Sequence, residues 1–80
     1  MKIIITKDSI VSLENVRRVD MNSVENTHSR YGKKYIVTDY RLDIDYNDNS
    51  SERIDCGEDA KGKETMLELF HQIADILQAE

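Results

Sequence analysis

Tyr35-Ile36-Val37-Thr38-Asp39-Tyr40-Arg41-Leu42-Asp43-Ile44-Asp45-Tyr46 alternates between apolar and charged residues along almost its whole length. Ile36, Tyr40, Leu42, Ile44 and Tyr46 share one parity, and Val37, Asp39, Arg41, Asp43 and Asp45 the other. Successive side chains of a β-strand point to opposite faces of the sheet, so a period of two predicts a strand with one buried and one wet face. Working outward, Asn47-Asp48-Asn49-Ser50-Ser51 is a dense cluster of turn residues, because Asn and Asp tolerate positive φ and bond back to their own backbone. Glu52 to Cys56 then returns as a second strand, with Ile54 and Cys56 facing inward and Arg53 and Asp55 outward. The two runs predict a hairpin over residues 35–56.

Upstream, Ile3-Ile4-Ile5 reads as a short strand covered on both faces. Ser9-Ile10-Val11-Ser12-Leu13 reads as a second short strand. Val16 to Val24 forms a longer one, with Val19 and Met21 on one face and Val16, Arg18 and Asp20 on the other. Its imperfect period points to a bulge near Arg17-Arg18. Glu25 to Lys34 is polar and contains Gly32, which predicts a long connection before the alternating strand. Downstream, Met66, Leu69, Phe70, Ile73, Ile76 and Leu77 recur at steps of three and four, the stripe of an amphipathic helix. Asp59 is its expected N-cap, and Gly62 in the first turn costs about 1 kcal/mol against alanine, predicting a ragged start.

Strands first and one helix last give an α+β domain. The expected architecture is an antiparallel β-meander of about five strands, with the C-terminal amphipathic helix packed on one sheet face. Ile36, Tyr40, Leu42, Ile44, Ile54 and Cys56 would meet Met66, Leu69, Phe70, Ile73 and Leu77. The chain has 80 residues, so residues 1–80 form one domain. With a single cysteine, Cys56, no internal disulfide can staple it. A small core of this kind often gains support from a partner subunit.

A net charge of −5 with a third of the residues charged argues against generic attraction to nucleic acid or anionic membrane. No apolar run approaches the ~20 residues that span a bilayer. Charge follows Met1 too soon for a signal-peptide core, and one free cysteine fits a reducing compartment, so the expected location is cytoplasmic.

Four features bear on chemistry. Asp43-x-Asp45-x-Asn47 has the opening of an EF-hand loop, which needs glycine at its sixth position and glutamate at its twelfth. Counted from Asp43 those positions hold Asp48 and Ile54, and from Asp45 they hold Ser50 and Cys56, so both registers fail and no metal is expected. His28, His71 and Cys56 are too scattered for a zinc spacing or a catalytic pair. Nothing matches a P-loop, a dinucleotide turn or a nucleophile elbow, so neither an enzyme nor a cofactor is expected. His28-Ser29-Arg30-Tyr31-Gly32-Lys33-Lys34-Tyr35 is the one basic cluster with interleaved aromatics. Arg30, Lys33 and Lys34 could hold phosphate while Tyr31 stacks on a base, the alternative reading of the chain as an anion- or nucleic-acid-binding module.

The main expectation is protein–protein contact. A helix covers one sheet face only, and the other would carry Ile4, Val11, Val16 and Val37 among its charges. A half-apolar outer face of this kind is a docking or self-association surface, so the expected partner is another protein or a second copy. The long hairpin, Tyr40-x-Leu42-x-Ile44-x-Tyr46, Ile54-x-Cys56-x-Glu58 and the closing helix resemble small bacterial and phage domains of unknown function. In those domains one helix caps a meander, a pattern similar to a truncated pleckstrin-homology-like fold. The resemblance implies a fold and carries no function or site residue.

Overall fold

The computed structural model describes residues 2–79. Five strands and one helix follow in order: β1 (Ile3–Ile5), β2 (Ile10–Ser12), β3 (Val16–Arg30), β4 (Lys33–Tyr46), β5 (Ser51–Glu58) and α1 (Asp59–Gln78). All pairing is antiparallel, as a meander, and it is divided into a two-stranded sheet β1-β2 and a three-stranded sheet β3-β4-β5. The α+β class, the five strands and the closing helix are as expected. The division into two sheets is new.

Both covers of the larger sheet lie on its Leu42 face. Ile4, Val11 and Leu13 from the β1-β2 segment, Leu42, Ile44, Ile54 and Cys56 from the sheet, and Met66 and Ile73 from α1 form one buried cluster. The segment is tied down by Tyr46, whose hydroxyl donates to the Ser12 carbonyl at 2.6 Å, and by the Asn47 amide, which donates to the Asn15 carbonyl at 2.9 Å. Ile5, expected to be covered on both faces, stands 68% exposed, since among the described residues β1 pairs with β2 alone.

The four residues assigned to an apolar outer face are not available there. Ile4 and Val11 belong to the core, because β1-β2 is itself part of the cover. Val16 returns to the core side because the register slips between Val16 and Arg18: Val16 pairs with Tyr46, and Arg18 with Asp45, leaving Arg17 as the extra residue of a bulge. Val37 does lie on the outer face, opposite Asn26, yet only 8% of it is exposed. It is flanked on its own face by Tyr35 and Asp39 and diagonally by Val24 and His28.

A larger departure concerns residues 25–34. They are not a long connection: β3 runs to Arg30, β4 starts at Lys33, and only Tyr31-Gly32 turns the chain. Both turn residues have positive φ, 53° and 75°, the two-residue geometry that matches the right-handed twist of paired strands. The product is a two-stranded arm. β5 pairs with β4 only from Asp39 to Asp45, so Lys33–Thr38 extend beyond the body with β3 alone beside them. The molecule is accordingly 52 Å long but only 24 by 18 Å across. Ile36, expected to meet the helix, lies on the arm and is 63% exposed.

The strand-to-helix junction also differs from expectation. Asp59 is the first helical residue rather than the cap, with φ +55°, and Glu58 takes the cap position without a side-chain bond. The Asp59 carboxylate instead accepts the Thr38 amide at 3.3 Å, linking the start of α1 to the root of the arm. Gly62 is buried against Gly57 in a close backbone approach.

Candidate functional site: the arm and the ends of the molecule

Register assigns each arm residue to a face. Val24, Asn26, His28, Arg30, Lys33, Tyr35, Val37 and Asp39 share the outer face, while Thr27, Ile36, Ser29 and Lys34 share the face that carries the helix further down. On the outer face the rings of His28 and Tyr35 stack with centroids 5.5 Å apart, and the Asn26 amide donates to Asp39 at 2.5 Å. The Arg30 guanidinium lies 5.6 Å from the centre of the Tyr31 ring. Tyr31 itself is 92% exposed at the tip. The structure thus brings Arg30, Tyr31, Lys33 and Lys34 together at one end of the molecule. Between His28 and Tyr35 there is no carboxylate, whereas the chain as a whole carries −5.

The aspartate row is engaged otherwise. Asp20 and Asp43 stand directly opposite each other, and two arginines relieve the repulsion. Arg18 Nε reaches Asp20 at 2.8 Å and its NH2 group approaches Asp45 at 3.6 Å, while Arg53 Nε donates to Asp43 at 2.9 Å. Asn22 donates to the same Asp43 carboxylate. The Arg53 bond, with help from Asn22 and Arg41, holds the Asp43 carboxyl below its usual range, against a smaller opposing effect of burial. Exposed pairs of this kind are worth about 0.2–1 kcal/mol each, so they make a solvated, charge-balanced face rather than a cage. Among the described residues no group of three or more His, Cys, Asp or Glu side chains gathers to hold a metal ion.

Cys56 faces the core, with its thiol donating to the Ile54 carbonyl at 3.6 Å. Burial, with the nearby Asp55 carboxylate, pushes the thiol up, the opposite of what a nucleophile needs. His28 lies on the arm and His71 on α1, so the sequence's three candidate reactive groups sit on three different elements.

Two open grooves flank β1-β2. One, of about 750 Å³, runs between Thr6–Ser9, β5 and the first turns of α1; its lining holds Cys56 but no histidine. The other, of about 790 Å³, lies at the end of the molecule away from the arm tip, between β2 and the turn after β4. It is lined by Glu14, Asp48 and Glu52 and by no lysine or arginine. The Ser50 hydroxyl and amide both donate to Asp48 and hold its carboxyl below the usual range. Burial, and to a smaller extent the Glu52 and Asp48 carboxylates, push the Tyr46 phenol up. Sequence reading passed over this groove, because Glu14 and the Asp48–Glu52 turn belong to two separated segments that only the fold joins.

No helix is long and apolar enough to cross a membrane among the described residues. Comparison of the chain with family models, curated proteins and solved structures gives no match.

Proposed function

We propose that the chain is a small non-enzymatic protein-interaction domain that docks its partner through the β3-β4 arm. The observation that carries this reading is that no buried or half-buried hydrophobic from Asp20 to Asp39 belongs to the core cluster, although the segment is paired up to its Tyr31-Gly32 turn, buries Val37 on the outer face and holds exposed Tyr31, Tyr35 and Ile36. An exposed tyrosine at a hairpin tip is the side-chain type that anchors interfaces. Among the described residues no strand pairs with the outer edge of β3, which offers main-chain groups for strand addition as well.

A photo-crosslinking residue in place of Tyr31, expressed in the cells that make the protein, tests the proposal. Discrete protein adducts are expected from position 31 and none from exposed Lys63 on α1. Adducts with nucleic acid alone, or no adducts, would overturn it. The second reading, an anion- or nucleic-acid-binding module using Arg30, Tyr31, Lys33 and Lys34, is favoured by the concentration of cations at the tip. It requires oligonucleotide binding that weakens steeply with salt.

A further inference from the structure

The two ends of the molecule are complementary. At the tip, Arg30, Lys33 and Lys34 surround an exposed tyrosine with no carboxylate among them. At the other end, Glu14, Asp48 and Glu52 line an open groove with no cation among its walls. The 14-residue β4 links the two, and at about 3.3 Å per residue it separates them by about 45 Å, nearly the whole length of the molecule. A rigid body with opposite charge at its ends cannot satisfy itself, because its own arm points away from its own groove.

We propose that the partner of the arm is a second copy of this chain, bound antiparallel, so that each basic tip seats on the acidic groove of the other copy. This rests on the reading of the arm as the docking element and names its occupant. An antiparallel pair makes the same contact twice about a two-fold axis and closes on itself, whereas a single head-to-tail contact would propagate. Apolar groups match as well. Ile10, 68% exposed, lines the groove, and Tyr31 and Ile36 are the most exposed apolar groups of the arm. A second copy also carries −5, so the contact rests on the local pairing of basic tip with acidic groove and not on net charge. Arg17 lies close to the acidic end, but its guanidinium points to Asn49 Oδ1 at 3.5 Å, outside the groove lining.

Analytical ultracentrifugation of the full chain, with charge reversal at each end, is the test. At low salt the wild-type chain sediments at twice its 9.3 kDa, and added salt shifts it toward the monomer. Lys33→Glu with Lys34→Glu weakens self-association at least about tenfold, and so does Asp48→Lys with Glu52→Lys. An equimolar mixture of the two reversed chains restores a heterodimer, because both contacts regain opposite charges. All four positions are exposed, and matching far-UV circular dichroism checks the fold of each variant. A monomer at every concentration, a dimer indifferent to both reversals, or no restoration on mixing would overturn the proposal. The crosslink at position 31 separates its failure from that of the docking reading. A monomer in the centrifuge with an adduct to a different protein sinks the second copy alone, and no protein adduct sinks both. Binding of a single-stranded oligonucleotide by a monomeric chain, lost on reversing Lys33 and Lys34, would assign the tip to a polyanion instead.

Discussion

A Cβ on Gly62 would fall well inside contact distance of the Gly57 carbonyl carbon and oxygen, and these are backbone atoms that cannot swing aside. Gly57 in turn holds φ at +112°, a region that residues with side chains rarely adopt. The two glycines let the chain leave β5, reverse through Asp59 and start a helix pressed against the strand it has just left. Propensity alone favours alanine over glycine in a helix by about 1 kcal/mol. Overlap in a packed contact costs about 1–3 kcal/mol, and here it is the larger effect. Gly62→Ala is therefore expected to lower stability by up to about 2 kcal/mol, read as a lower urea midpoint. A variant more stable than wild type would mean that the contact with Gly57 has no bearing on the fold.

At the scale of elements, the arm and the body obey different rules. The body strands each have a face on the core, whereas the arm beyond Val37 has water on both faces and is held by its ladder and turn. Asn26 and Val37 occupy the same kind of pair as Arg30 and Lys33, four residues further back on each strand. Deleting residues 27–36 and joining Asn26 to Val37 through Asn-Gly therefore preserves the register and supplies a turn suited to it. The shortened chain is expected to keep its helical circular dichroism and to change in stability by less than about 1 kcal/mol, since surface changes outside the core are small. Loss of the cooperative transition would show the arm to be part of the folding unit. The same contrast explains what could be read from the sequence. Leu42, Ile44, Ile54 and Cys56 announce themselves because burial on one face forces a period of two. Residues 25–30 have no buried face, so nothing forces their pattern, and a polar strand in water reads as a loop. The signals available were Thr27 and Tyr31, strand-forming types within the polar run, with Gly32 at the turn. At Val16 a one-residue bulge reversed the parity, and alternation alone cannot count across a bulge. The basic tip was legible as a cluster; its separation from an acidic groove at the far end was not, because that depends on the length of the arm.

For the molecule as a whole, one cluster joins the β1-β2 segment, the larger sheet and the helix. Leu42 and Ile44 at its centre are fully buried, and Ile4, Leu13 and Ile73 close over it from the other two layers. Residues of all three layers share this one interior, so none of them has a core of its own to retain if the cluster fails. The elements should accordingly unfold together. A domain of about this size draws only ~3–5 kcal/mol from its core, and removing the Leu42 side chain beyond Cβ costs about 2–5 kcal/mol. Leu42→Ala is thus expected to leave much of the chain unfolded at room temperature. Helical circular dichroism and the near-ultraviolet signal of the tyrosines would fall together. Ile36→Ala, on an exposed arm residue of similar size, should change the midpoint hardly at all. The comparison separates a single cooperative interior from a loosely attached β1-β2 segment. In the second case Leu42→Ala would melt in two steps, with the Tyr46 contact to Ser12 lost before the helix.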